Sequence, residues 1–186
     1  MINHSNNKTI KLHLGCGNVN IPGYVNIDSR KTKSTDLVQD IRNIKKFKKY
    51  SIDEIYVCHV LEHFGRFEVY EILKKWRKLL KKNGKLKIAV PDFNKICEIY
   101  LKSKKIQLIE GPVIGGQNYK LNFHYNIFDF KKLKKILEEC GFYSIKKYDW
   151  RKTEHSHIDD YSQAYIPHMK KETGTLISLN VECLRK

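Results

Sequence analysis

No stretch of this 186-residue chain approaches the roughly 18 apolar residues of a membrane span, and the opening MINHSNNK lacks the apolar centre of a secretory signal. A soluble, cytoplasmic protein is therefore expected. The five cysteines (Cys16, Cys58, Cys97, Cys140, Cys183) are odd in number and scattered, with no Cys-x-x-Cys pair for zinc or dithiol chemistry. They read as reduced thiols, most of them in the core. Acidic residues are scarce: 20 Asp and Glu stand against 36 Lys and Arg, a formal charge of +16. That balance suits a phosphorylated or polyanionic partner. The lysines gather in KKFKK (45–49) and KKWRKLLKKNGKLK (74–87), where apolar residues at helical spacing imply a solvated outer face. These runs also lack the interleaved aromatics of a single-strand stacking platform. No repeat, low-complexity linker or composition break divides the chain. One domain over 1–186 is expected, with 1–9 a flexible N-terminus and 150–172 a substrate-facing insertion.

What is present alternates. Apolar, strand-like runs occur at 10–14, 23–27, 36–38, 54–58 and 86–90, separated by loops or by helical patterns such as FEVYEILKKWRKLLKK. This rhythm predicts an α/β fold built on a parallel sheet. Helices are expected near 92–104 and 129–140, the second stopping at Gly141. Two last strands, about 142–149 and 175–184, are placed as an antiparallel ribbon at the sheet edge.

In an open parallel sheet, ligands bind beyond the carboxyl ends of the strands. IKLHLGCGNVNIPGYVNID (10–28) puts Gly15 and Gly17 directly after the first such strand and Asp28 at the end of the second. The glycines let the backbone approach a ligand, and the acid can accept hydrogen bonds from both hydroxyls of a ribose. The next strand ends in DLVQDI, where Asp40 can accept from an adenine amino group and the Ile41 backbone can meet the ring edge.

LHLGCG, the acid closing the second strand, QDI, HVLEHF and LLKKNGKLKIAVPD, in that order, resemble a class I S-adenosylmethionine-dependent methyltransferase, over nearly the whole chain. LGCG followed by LEH, and the tail DDYSQAYIPHM before ISLNVECLRK, resemble the small bacterial members associated with surface-polysaccharide and capsule biosynthesis. The resemblance implies a Rossmann-like seven-stranded, mostly parallel sheet with helices on both faces and the last strand antiparallel. It places Leu14, Gly15, Cys16 and Gly17 beside the methionine part of the cofactor, Asp28 at the ribose, Asp40 and Ile41 at the adenine, and Cys58 and His59 beside the transferable methyl. One departure stands out. Eleven positions from Gly17 to Asp28 are too few for the usual helix, so NVNIPG must be a loop. The helix amino terminus that a dinucleotide's pyrophosphate needs is then missing, which argues against NAD.

A hydroxyl acceptor must be aligned with the methyl carbon and lose its proton. Histidine is the natural base. His59 and His63, four apart, share a face if their segment turns helical at once. His63 is the preferred base, its tautomer set by Glu62 or a backbone carbonyl, and His124 in NFHYN, after the Gly-rich GPVIGGQN, is the second candidate. The segment 150–172 carries His155, His157, Asp159, Asp160 and His168, but at no ligand-like interval, and no metal is expected there or elsewhere in the chain. It reads instead as a lid whose Tyr161, Gln163 and Tyr165 meet a sugar ring. The leading expectation is O-methylation of a sugar hydroxyl in a nucleotide sugar or a capsule or lipopolysaccharide precursor. RNA or protein methylation, and a non-catalytic partner subunit, are the alternatives. Against RNA, CHVLEH is not the Asn/Asp-Pro-Pro-aromatic tetrad of base amino-methylation.

Overall fold

A computed structural model describes residues 9–168 and 170–186, so residues 1–8 of the expected flexible N-terminus lie outside the described residues. The elements are β1 (Lys11–Leu14), β2 (Val25–Asp28), β3 (Leu37–Val38), β4 (Ile52–Cys58), α1 (Arg66–Leu79), β5 (Leu80–Pro91), α2 (Phe93–Ser103), α3 (Glu110–Ile114), α4 (Phe130–Glu139), β6 (Phe142–Lys147), β7 (Tyr165–Ile166), β8 (Thr175–Leu176) and β9 (Ser178–Arg185). Seven strands form one sheet in the order β3-β2-β1-β4-β5-β9-β6, and β7 pairs with β8 in a small ribbon. Strands β1 to β5 run parallel, and β9 lies antiparallel between β5 and β6. This is the expected Rossmann-like sheet with its antiparallel last strand. β1 sits between β2 and β4, so the strand order reverses there and a crevice opens beyond their carboxyl ends.

Strand alternation sorts the two faces. One carries Leu12, Leu14, Ile55, Val57, Ile88, Val90, Leu179 and Val181, all buried. Against it pack Val69, Ile72, Leu73 and Trp76 of α1 and Leu133, Ile136 and Leu137 of α4, whose spacing of three and four residues makes one apolar stripe per helix. Each such side chain contributes about 1.5–3 kcal/mol on burial. The Trp76 indole also donates to the Ile41 carbonyl at 2.8 Å, fixing the 41–43 turn to α1.

The opposite face is different in kind. Its strand residues include His13, Asn26, Tyr56, Cys58, Lys87 and Asn180, which are buried although most are polar. Buried polar groups must be paired. His13 Nδ1 lies 3.0 Å from Asn26 Oδ1, the Tyr56 hydroxyl donates to Asp160, Asn180 Nδ2 donates to the Ser162 carbonyl at 2.9 Å, and Lys87 pairs with Glu54 at 3.1 Å. The cover comes from two irregular segments, the β1–β2 loop with Ile21 and Tyr24, and the chain after β6 with Trp150, His155, Ser162 and Gln163.

Two local expectations are corrected. The helical pattern written to residue 82 ends at Leu79, because Leu80 is fully buried and pairs with Ile52 as the first residue of β5. The register then shifts, with Asn83 at φ 61° and a Gly84 whose Cβ would lie 2.8 Å from the Lys81 carbonyl. Nor does the chain turn helical directly after β4. His59 takes φ 51°, and Leu61–His63 form one 3-10 turn before α1, so His59 and His63 do not share a helix face. Four cysteines are buried and Cys97 is half-buried, all as free thiols. Among the described residues no helix is long and apolar enough to cross a membrane.

Candidate active site

The glycine turn is held from three sides. Gly15 and Cys16 both donate to the Ile27 carbonyl, at 2.8 and 3.1 Å, so the turn folds back over the end of β2. Gly15 adopts φ 71°, and a Cβ there would meet Val60 Cγ2 at 2.4 Å. Only glycine serves at that position, and the reason is the packing of the β4 exit against the turn. Gly17, at φ 53°, donates its amide to Asp28 Oδ2 at 2.8 Å. A Cβ on Gly17 would meet only the Arg30 guanidinium, at 3.8 Å.

Asp28 is 6% exposed at the carboxyl end of β2. Besides Gly17, its carboxylate accepts from the Arg30 amide at 2.8 Å and from Arg30 Nε at 3.4 Å. A carboxylate takes about four hydrogen bonds, which leaves capacity for a ligand hydroxyl. The Arg30 guanidinium stacks 4.6 Å from the Tyr119 ring, linking this acid to the loop after α3. Asp40 caps the 41–43 turn through the Arg42 amide and forms a two-pronged ion pair with the Arg42 side chain, which holds its carboxyl below the usual range. Ile41 beside it is buried.

At the β4 end, Cys58 is buried and its thiol is pushed well up by desolvation. His59 Nε2 lies 3.1 Å from Ser178 Oγ, which is itself 3.0 Å from Asn180 Oδ1. If the serine hydroxyl donates to the amide oxygen, His59 carries its proton on Nε2 and its lone pair on Nδ1. Burial, with His124 and His63 nearby, lowers the His59 pKa to about 3. His63 Nδ1 lies 3.0 Å from the Phe123 carbonyl and His124 Nδ1 3.0 Å from the Pro112 carbonyl. A carbonyl only accepts, so both rings donate from Nδ1 and keep a lone pair on Nε2. Burial lowers both pKa values, that of His124 to about 4, so the rings are neutral at pH 7. A backbone carbonyl thus sets the His63 tautomer, one of the two options read from the sequence.

Glu62 is the residue whose weight the sequence reading missed. It is 0% exposed, neither carboxylate oxygen has a hydrogen-bond partner, and burial raises its pKa to about 8. Its Oε1 stands 3.4 Å from His59 Nδ1. Ligand-type atoms of Glu62, His63 and His124 all lie within 4.8 Å of one another. The His-x-x-Glu-His spacing was the available signal, but His124 joins only through the fold. Tyr125 and Asn126 amides donate to the Glu62 carbonyl at 2.8 and 3.2 Å, and Asn126 Nδ2 to the Phe64 carbonyl at 2.8 Å.

Of the three residues expected to meet a sugar ring, Tyr161 is 66% exposed with its ring 5.5 Å from that of His59. Gln163 is buried and donates to the Ser156 and Ile158 carbonyls, and Tyr165 is buried with its hydroxyl accepting from Arg151. The structure therefore brings His59, Glu62, His63, His124 and Tyr161 together, with Leu14 to Gly17 and Asp28 along the neighbouring strand ends.

Residues 12–88 match a family profile described as a methyltransferase domain, Methyltransf_11. Among curated proteins no match is found. Similar solved structures include a methyltransferase of Thermotoga maritima described as a possible histamine N-methyltransferase, with TM-score 0.61 and 13% identity over 95% of this chain and 82% of that one. A Methanosarcina mazei methyltransferase aligns at TM-score 0.57 and 15% identity, covering 96% of this chain and 93% of that chain. Magnesium protoporphyrin IX methyltransferase of Synechocystis, solved with S-adenosylhomocysteine, aligns at TM-score 0.54 and 14% identity over 97% and 76%. Profile and fold together support the class of S-adenosylmethionine-dependent methyltransferases. S-adenosylmethionine is the cofactor they indicate.

Proposed function

We propose that this protein methylates a hydroxyl of a sugar, presented as a nucleotide sugar or as a capsule or lipopolysaccharide precursor made in the cytoplasm. The observation that carries an oxygen acceptor is the pair of neutral imidazoles, His63 and His124, each tied at Nδ1 and open at Nε2. The cofactor fits the neighbouring strand ends. The Gly17 position is open enough for close backbone approach, and Asp28 is a buried acid with unused acceptor capacity. Leu14 to Gly17 would border its methionine part and Asp28 its ribose, with Asp40, Ile41, Cys58 and His59 completing the set. Bound there, S-adenosylmethionine supplies an already activated methyl group.

The remaining work belongs to the protein. The β4 exit must hold the acceptor oxygen in line, a contribution that can reach about 7–11 kcal/mol in well-oriented systems. His63 Nε2 takes the hydroxyl proton, and His124 beside it is the second acceptor. Exposed Tyr161 offers a ring face to a sugar. The surplus of lysine favours a substrate carrying a diphosphate.

The test is incubation with S-adenosylmethionine and a panel of nucleotide sugars, read by mass spectrometry. Gain of one methyl on one sugar supports the proposal. Methyl transfer to RNA or protein substrates, with none to sugars, overturns it.

A further inference from the structure

We propose that Glu62, His63 and His124 form a binding site for one divalent first-row transition cation such as zinc, with coordination positions left open for a hydroxyl. The cation's binding stands apart from the methyl-transfer reading; its use in catalysis rests on that reading.

Four observations converge. The donor set is two imidazoles and one carboxylate, with ligand-type atoms within 4.8 Å of one another. Bonds of roughly 2.0–2.2 Å then require a modest inward closure of the three side chains. Second, each imidazole already donates its Nδ1 proton to a backbone carbonyl, Phe123 or Pro112. That is the arrangement that orients a ligating histidine and leaves Nε2 for the metal.

Third, Glu62 is a wholly buried carboxylate with neither oxygen bonded. Such a group is costly to leave unpaired, and native proteins seldom do so without a reason. His59 does not relieve it, standing 3.4 Å away at Nδ1 without forming a hydrogen bond. A cation between Glu62 and the two imidazoles would. Fourth, the chain spends backbone bonds on the assembly. The Tyr125 and Asn126 amides both close on the Glu62 carbonyl, and the His124 amide on that of Ile114 at 3.1 Å. His124 is thereby fixed beside a turn that is distant in sequence.

The chemistry of the set selects the ion. Imidazole nitrogens favour zinc, copper, iron or nickel over calcium and magnesium, which take oxygen cages. Three protein ligands leave positions free, as catalytic zinc sites do. An acceptor hydroxyl bound there becomes more acidic. Its proton passes to water, and the oxygen keeps the electron pair that forms the new bond to carbon as the methyl–sulfur bond breaks and its pair returns to sulfur, leaving a neutral thioether. In the loaded protein the His63 lone pair is on the metal, so the cation replaces the imidazole in activating the hydroxyl.

The experiment titrates chelator-stripped full-length protein with Co2+ by visible absorbance and calorimetry, followed by displacement with Zn2+. One equivalent should bind, with d–d bands of a nitrogen and oxygen environment that Zn2+ abolishes. Glu62→Gln and His124→Gln should each weaken Co2+ by at least roughly 10–100-fold, the scale seen for perturbing even the outer partners of a metal site. His157→Ala, at an exposed histidine outside the cluster, should leave binding unchanged. Absence of a bound equivalent in the stripped wild type overturns the proposal whether or not the variants fold. So does wild-type affinity in both folded triad variants, or loss of binding in His157→Ala alone. Metal uptake and methyl transfer are read separately, so failure of either leaves the other standing.

Discussion

His63 and His124 stand edge to face with ring centroids 4.7 Å apart, and the carbonyl that orients His63 belongs to Phe123, the residue before His124. The two rings are therefore placed by one loop. Displacing that loop would cost His63 its tautomer and the site its second imidazole in a single movement.

If these lone pairs activate the acceptor, directly or through a cation, His63→Ala should lower turnover on the order of 10² to 10⁴, the usual contribution of a positioned base, with S-adenosylmethionine affinity retained. His124→Ala measured in parallel ranks the two. A large loss at His124 with almost none at His63 would exchange their roles.

Asp28→Ala should weaken S-adenosylmethionine by roughly 1.5–3 kcal/mol, the scale of hydrogen bonds to a charged group. Asp28 also anchors the Gly17 and Arg30 amides, so thermal melting must accompany the calorimetric titration. Unchanged affinity in a folded variant would remove Asp28 from the cofactor site.

Gly15→Ala should destabilise the fold by about 1–3 kcal/mol, since the new methyl meets Val60 at 2.4 Å and the backbone is at φ 71°. Urea denaturation measures it. In Gly15→Ala combined with Val60→Ala, the steric part should be relieved and the backbone part should remain.

Burial lowers the His13 pKa from 6.5 to about 4, despite the hydrogen bond to Asn26. The unfolded chain therefore takes up this proton first as pH falls. The stabilising contribution of neutral His13 is complete above pH 6.5 and is lost as pH drops toward 4, by roughly 1.4 kcal/mol per unit. Wild type should lose about 1–2 kcal/mol between pH 7 and 5 that His13→Gln does not, in urea titrations at the two pH values.

Much of the fold was legible because strand-like runs and helical stripes follow simple periods. The pattern at 67–82 marked α1, and Asp129 and Gly141 bracketed α4. The α1–β5 boundary was not, because Leu80 satisfies a helical stripe and a buried strand equally well. In the site, Gly15, Gly17 and Asp28 stood out locally, each close in sequence to its partners. The Glu62 environment did not, since its burial depends on a loop more distant in the chain. The same applies to Gln163 and Tyr165, whose polar ends looked like substrate contacts and are bonded within the protein. α3 and the β7–β8 ribbon are too short for periodicity to reveal.

The polar underside of the sheet has a consequence for modularity. The Tyr56 hydroxyl donates to Asp160, so the stretch 12–88 borrows a hydrogen-bond partner from the chain that follows β6. The stretch that matches the methyltransferase profile is thus not a transplantable cassette. A chimaera that exchanges it for another protein's would need the 150–163 cover to match, because the Tyr56 partner comes from there.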